Sequence, residues 1–339
     1  MYGDAELVDE TFLSALGVFR FPTPLEFLEA GGPANVYALE NPDGTWTLFD
    51  TGIGTPDALS ALRSLAADAR VELDRVSDII ISHGHLDHFG NAQLLSERSG
   101  ARVWVHPADL GKVVGDERHA DMLVKHRAYL LSLGLDAELL TALADRAARS
   151  AQPRYLERHR LSLLADGQVF HFKHLDAVVR HLPGHTPGLV CLHAPAQRLF
   201  FADDHVLAKV SPNPLLDLSQ GEGETKFLAL VRYLESAKWV RDLELDAVLP
   251  GHGESFRGHR SLLDGLLAFY VTRQDKLHAR LKVTPSTIHQ LLEVLFVRRD
   301  ASRLMLMLSE VLANVEVLEV AGRVRRERRD DGVFVFHAV

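Results

Sequence analysis

Five imidazoles and two carboxylates in this sequence have the types and spacing of ligands for a divalent metal. Four of the seven, His83, His85, Asp87 and His88, fall within six positions, directly after the run Ile79-Ile80-Ile81-Ser82. A β-branched apolar run reads as a buried strand, so these side chains occupy a loop at a strand end, a rigid place from which to aim ligands. Imidazole and carboxylate are the donors that a borderline cation such as zinc takes. The other three arrive from distant loops: His185 in Pro183-Gly184-His185-Thr186-Pro187-Gly188, Asp204 at the end of Leu199-Phe200-Phe201-Ala202-Asp203-Asp204, and His252 in Gly251-His252-Gly253. One metal with three or four ligands cannot use all seven, whereas two metals bridged by a carboxylate can. A water between two such ions loses a proton near neutral pH and becomes a nucleophile without any Ser or Cys. Hydrolysis is the expected reaction.

The elements around these residues alternate. Ala34–Leu39 and Thr45–Asp50 read as strands joined by Asn41-Pro42-Asp43-Gly44, and a helix is predicted over 56–69 from Ala58, Leu59, Leu62, Leu65 and Ala66. A strand over 78–82 leads into the ligand loop, followed by a short helix over 90–99 and a strand over 102–105. Residues 108–165 break the rhythm with helices over 120–133 and 136–149 and no convincing strand, a helical insertion expected to lie over one end of the sheet. Strands resume at 169–172, 177–180, 189–193, 198–204 and 246–250. Strands mixed with helices in this order predict a layered α/β fold. Four strand ends deliver His or Asp into loops, and that repetition is the strongest structural signal in the chain.

Composition is compatible with an enzyme. Hydrophobic residues at 47% and charged ones at 24% are near globular averages, which excludes fibrous and disordered classes. A lone cysteine, Cys191, excludes an internal disulfide and falls in an apolar segment that reads as a buried strand. The start, Met1-Tyr2-Gly3-Asp4-Ala5-Glu6, is acidic and lacks the basic and apolar segments of a secretory signal. No apolar run approaches the roughly 18 residues that span a bilayer, so a cytoplasmic protein without membrane contact is expected. The net charge of −9 argues against a general nucleic-acid binder, although residues 276–339 carry 11 Lys/Arg against 8 Asp/Glu on an otherwise acidic chain.

Taken together, His83-x-His85-x-Asp87-His88, Pro183–Gly188, Phe201-Ala202-Asp203-Asp204-His205-Val206-Leu207 and Pro250-Gly251-His252-Gly253 resemble the metallo-β-lactamase fold superfamily, most nearly its glyoxalase II, thioesterase and lactonase branch. The resemblance covers about residues 20–275 and implies an αββα sandwich of two mixed sheets with metals at one edge. It implies one metal on His83, His85 and His185, the other on Asp87, His88 and His252, and Asp204 as the bridge. The metals would be zinc by ligand type, with iron or manganese accepting the same donors. Where the family usually has glycine before the bridging aspartate, this chain has Asp203. Either carboxylate could then bridge; the spacing to His205-Val206-Leu207 favours Asp204, with Asp203 supporting the ligands or facing solvent. Asp50, before Gly52, matches an aspartate that orients the ligand loop, simple loop capping being the alternative. Asp87 is a candidate proton acceptor when the leaving group departs, and His205 a candidate to meet substrate or protonate a leaving group, a packed or solvated histidine being its alternative.

After residue 275 the pattern changes. Thr284-Pro285 predicts a helix start, a second helix is expected over 302–320, and Arg323–Arg328 with Val333–His337 form a hairpin across Asp330-Asp331-Gly332. Helices followed by a hairpin resemble a winged-helix module, so the domains expected are a catalytic one over 1–275, with its insertion at 108–165, and a small one over 276–339. Beyond Arg303 the helix that would enter a DNA groove has no Lys or Arg, and it carries Glu310, Glu316 and Glu319, which argues against sequence-specific DNA binding. Packing on the catalytic domain or a homodimer contact is the expected role. The leading functional reading is a binuclear metal hydrolase of a small acyl substrate, a thioester, ester or lactone. The alternative is a metal-dependent phosphodiesterase or endoribonuclease that uses the basic wing, Arg323 to Arg329, for RNA.

Overall fold

A computed structural model describes residues 6–26, 31–116, 119–149, 153–212, 214–219, 226–297 and 303–339. The acidic start at residues 1–5 lies outside the described residues.

Two mixed sheets carry the site. The first has the order β2 (Val18–Thr23), β3 (Ala34–Glu40), β4 (Trp46–Phe49), β5 (Val76–Ile80), β6 (Arg102–Val105) and β7 (Leu161–Leu163). The second runs β1 (Glu6–Leu7), β13 (Phe256–Arg257), β12 (Ala247–Pro250), β11 (Leu199–Asp203), β10 (Val190–Ala194), β9 (Asp176–His181) and β8 (Val169–His171). The expected turn closes β3 onto β4: Gly44 sits at φ 77°, and Asp43 accepts bonds from Thr45 N and Oγ1 at 2.9 and 2.6 Å. Period-two alternation then sorts the side chains. Leu39 and Ile80 face inward with Val190, Leu192 and Phe201 of the second sheet, forming the core of the sandwich. Ala38 and Ile79 point the other way, onto a separate core with Leu62 and Leu95 from the helices Pro56–Asp68 and Ala92–Ser99. Each fully buried Leu or Ile contributes roughly 1.5–3 kcal/mol. The mixed α/β sandwich expected from the sequence is therefore present.

Strand direction explains why the candidate ligands meet. β4, β5 and β6 are mutually parallel, and so are β11 and β12. Their carboxyl ends, which carry Asp50, the 83–88 loop, Asp203 with Asp204, and His252, therefore open at like edges, where α/β proteins place their ligands.

The chain divides into two compact units, the first made of 1–116, 152–212 and 236–265, the second of 117–151, 213–235 and 266–339. In the second, the helices Ile288–Leu295 and Leu304–Val320 are followed by the hairpin β14 (Val324–Arg328) and β15 (Phe334–Ala338). Leu130, Leu133 and Leu140, from the segment read as an insertion over the sheet, are buried there with Leu292, Leu308 and Leu312. The 25-residue helix His259–Val283 runs through position 275.

Several boundaries differ from the sequence reading. The strand expected over 78–82 is β5 at Val76–Ile80, because its backbone follows the parallel ladder with β4 and stops before the ligand loop. A strand does exist within 108–165: β7, three residues on the edge beside β6. The helix expected over 120–133 breaks at His126, into His119–Lys125 and Arg127–Ser132. The helix start expected at Thr284-Pro285 falls at Ile288, where Thr287 and Gln290 form a reciprocal capping box. Among the described residues no helix is long and apolar enough to cross a membrane.

Candidate metal centre

Asp50 follows β4 with a left-handed backbone, φ 64°, and is 1% exposed. Its Oδ1 accepts from Ser82 N at 2.8 Å, and its Oδ2 accepts from Ser82 Oγ at 2.7 Å and lies 2.9 Å from His88 Nδ1. The carboxylate thus ties the start of the ligand loop to its last histidine. Asp203 ends β11, also left-handed at φ 47° and equally buried. It lies 2.8 Å from His83 Nδ1 and 3.1 Å from His88 Nδ1. With Nδ1 of both rings held by carboxylates, Nε2 of each is the free donor, the arrangement that fixes tautomer and direction in metal-binding histidines. Non-glycine residues with positive φ cost on the order of 1–3 kcal/mol, and two of them meeting at one histidine mark a functional site.

On the other side of these rings, His83 Nε2, His85 Nδ1 and His185 Nε2 converge, with separations of 2.8 and 3.0 Å about His85. Nitrogen ligands around one tetrahedral zinc stand about 3.3 Å apart. Asp87 Oδ2 lies 3.8 Å from His88 Nε2 and 3.5 Å from His252 Nε2, a second convergent group. Asp204 faces both: its Oδ2 is 3.9 Å from His83 Nε2, 3.4 Å from His185 Nε2 and 3.6 Å from His88 Nε2, and its Oδ1 is 3.4 Å from His252 Nε2. The structure brings all seven candidate ligands together, with Asp50 and Asp203 behind them.

The donors fit divalent ions. His88 Nε2, His252 Nε2 and Asp204 Oδ1 are buried and make no well-formed hydrogen bond among the described residues. His252 Nε2 stands 3.4 Å from Asp204 Oδ1, and both imidazole nitrogens stand 3.5–3.8 Å from Asp87 Oδ2, spacings that a shared cation would satisfy. Electrostatics point the same way. Burial opposes ionisation of Asp204, but His252 and His88 hold its carboxyl well below the usual range. Burial likewise opposes charge on His88, but Asp203, Asp204 and Asp87 hold its imidazole well above its ordinary value. Burial, helped by His83 and His185, keeps the His85 imidazole well below its ordinary range, so this ring is a neutral donor.

His205 directly follows Asp204. It is fully buried, and burial pushes its imidazole down to about 3. Three further residues escaped the sequence reading. Asn35 Nδ2 donates to Pro250 O at 2.9 Å and Gly253 O at 2.8 Å, and Tyr37 Oη donates to Pro250 O at 2.8 Å, so β3 grips both sides of the His252 turn. Asp109, fully buried, reaches two ligand loops at once. It follows β6, and the strand-end device seen four times elsewhere was the signal that would have found it.

A sandwich with a paired His/Asp cluster at its strand ends defines a metal-dependent hydrolase. The sequence pattern of the metallo-beta-lactamase superfamily matches residues 30–252, and that of the metallo-beta-lactamase-like C-terminal domain matches residues 275–339. The chain belongs to the metallo-beta-lactamase superfamily and is one of its metallo-hydrolases. A probable metallo-hydrolase of Bacillus subtilis, YqjP, is 26% identical over 305 residues, covering 88% of this chain and 91% of its own length. Acyl-coenzyme A thioesterase MBLAC2 of Gallus gallus is 27% identical over 269 residues, covering 74% and 83%. Among solved structures, metallo-beta-lactamase family protein TTHA1429 from Thermus thermophilus matches with TM-score 0.76 at 25% identity, over 95% of this chain and 99% of that one. A beta-lactamase domain protein from Burkholderia ambifaria has TM-score 0.76 at 24% identity, over 100% and 96%, a likeness of fold.

Proposed function

We propose that this chain is a two-metal hydrolase of small acyl substrates: thioesters, esters or lactones. The observation that carries the reading is Asp204, one carboxylate within 3.4–3.9 Å of Nε2 of His83, His88, His185 and His252. In this reading His83, His85 and His185 hold one ion, Asp87, His88 and His252 hold the other, and Asp204 is shared. When bound, such a pair supplies Lewis acidity and activates water near neutral pH. The protein's own groups do the rest. Asp50 and Asp203 fix the imidazole tautomers. Asp87, 20% exposed where Asp204 is 9%, is the carboxylate placed to accept a proton. Likeness to a protein named acyl-coenzyme A thioesterase supports a thioester as the first substrate to try.

We divide the chain functionally into a catalytic domain over 1–275 and a winged-helix-like module over 276–339. The RNA alternative gains no support from the hairpin. Arg325 pairs with Glu327 at 3.1 Å, Arg326 with Glu319 at 3.4 Å, Arg323 with Asp275 at 3.0 Å, and Arg329 with Asp331. Arginines already paired with carboxylates make a weak phosphate surface. The test is direct: protein reconstituted with two equivalents of zinc is assayed for thiol release from acyl-coenzyme A thioesters, for lactone opening and for cleavage of single-stranded RNA at low salt. Thioester or lactone turnover is expected. RNA cleavage with neither acyl activity overturns the reading.

A further inference from the structure

The first metal group is assembled from two loops that are distant in sequence. His83 and His85 flank Gly84 in one, and His185 precedes Thr186 in the other. Between them stands a side chain from a third element. Beyond β6 the chain makes a short 3-10 turn, Pro107–Asp109, capped by the His106 imidazole, which accepts from Ala108 N at 3.3 Å. The turn delivers the fully buried Asp109. Its Oδ2 accepts from Gly84 N at 2.8 Å and from Thr186 Oγ1 at 2.6 Å. Its Oδ1 accepts from Gly188 N at 3.1 Å and from Lys112 Nζ at 2.9 Å. Four donors therefore fill two oxygens, and one oxygen is shared by the two histidine loops.

So close an approach demands glycine on both loops. A Cβ on Gly188 would stand 2.7 Å from Asp109 Cβ, Cγ and N, and one on Gly84 would stand 2.7 Å from Lys112 Cβ. The second metal group has different supports: Asp50 behind His88, and Asn35 with Tyr37 on the His252 turn.

We propose that Asp109 is a positioning residue, a buried carboxylate clamp that sets the His83–His85 loop against the His185 loop and so selectively maintains one of the two metal positions. The proposal rests on the two-metal reading above, and its test separates the two. Full-length wild-type, Asp109→Asn, Thr186→Val and His85→Ala proteins are titrated with cobalt(II) against a competing chelator while the visible spectrum is followed. In the metal-free proteins, hydrogen exchange is measured at the Gly84, Gly188 and Ser82 amides. The asparagine keeps the shape but has one acceptor oxygen for four donors. Loss of such an outer partner typically weakens binding about 10–100-fold. That loss is expected at one cobalt position only, the one whose absorption is missing in His85→Ala. Exchange at Gly84 and Gly188 is expected to rise together by about tenfold, with Ser82, held by Asp50, unchanged. Thr186→Val should weaken the same cobalt position by less.

Wild-type affinity at both positions in Asp109→Asn, or equal loss at both, overturns the clamp. Should Asp109→Asn fail to fold, Thr186→Val decides on the same measurements, and unchanged affinity with unchanged exchange overturns it. Wild-type protein that takes up fewer than two cobalt ions refutes the two-metal reading instead. The exchange at Gly84 and Gly188 then still judges the clamp, and its failure to rise in the variants overturns it.

Discussion

Asp203→Gly is the perturbation that isolates how the two histidine groups are oriented. The superfamily resemblance expects glycine here, and the backbone, at φ 47°, is one that glycine takes freely. The substitution relieves about 1–2 kcal/mol of left-handed strain. It also deletes the acceptor of His83 Nδ1 at 2.8 Å and of His88 Nδ1 at 3.1 Å. These effects oppose each other in folding stability, so a melting curve is a poor readout. Metal affinity separates them. His88 keeps Asp50 at 2.9 Å, whereas His83 keeps only the Ser82 hydroxyl, at 3.0 Å. A carboxylate behind a metal-bound imidazole is worth about 10–100-fold in affinity, or about 1.4–2.7 kcal/mol. We therefore expect that loss at the ion on His83, His85 and His185, and less than about tenfold at the ion on Asp87, His88 and His252. The assay is chelator-competed cobalt titration, with His85→Ala and His252→Ala marking the two positions. Equal losses at both refute the idea that Asp50 alone suffices for His88, and wild-type affinity at both refutes the supporting role of Asp203 behind His83.

Four further outcomes are expected. His252→Ala should abolish turnover and remove one of two metal equivalents, and full activity at unchanged metal content would remove the two-metal assignment. Gly90→Ala should destabilise the metal-free protein by about 1–3 kcal/mol or more, measured by urea unfolding, because its Cβ would stand 2.2 Å from Gly54 N and 2.5 Å from Leu86 O, backbone atoms that cannot yield cheaply. Burial pushes His106 down to about 4, and His181, stacked on it at 3.8 Å, adds to the shift. Since the unfolded chain has the ordinary value of about 6.5, it binds more protons between those limits, and stability falls as pH drops from about 6.5 to 4. His106→Asn, which keeps a capping acceptor, should flatten that slope in melting temperature relative to wild type. Metal removal is the last.

How much of this was legible follows from which residues depend on neighbours along the chain. The β3–β4 hairpin and the 83–88 loop could be read because an apolar run and a turn or ligand cluster are local facts. The stripe Leu262, Leu266, Tyr270, Leu277 and Leu281 had the spacing of the helix His259–Val283 and went unread. β7 could not be found, since three residues, Leu161–Leu163, carry too little pattern and are held by pairing with β6. That Leu130 and Leu140 would share a core with Leu308 and Leu312 is likewise a matter of tertiary packing. Within the site, the candidate ligands were legible by type, but not all of the residues behind them were. Asn35 and Tyr37 lie more than 200 positions from the turn they hold, and nothing in their local sequence announces it.

That division between legible ligands and hidden supports bears on metal removal. Evolution can place seven donors by motif, but an emptied cluster of buried carboxylates and imidazoles around two left-handed aspartates is costly. The supports hold it together nonetheless: Asp50 on Ser82, Asp109 on Gly84 and Thr186, Asn35 on the His252 turn. A preorganised site of this kind should survive chelation with its fold intact but with less stability. An ion at a thousand times its dissociation constant adds about 4.1 kcal/mol. Because imidazoles must be deprotonated to bind, that increment should shrink as pH falls below the imidazole range. We expect chelation to lower the melting temperature at pH 7.5, less at pH 5.5, with exchange rising first at the amides of residues 82–88 and 251–253. A melting temperature indifferent to chelator at both pH values would show that no ion contributes to the folded state.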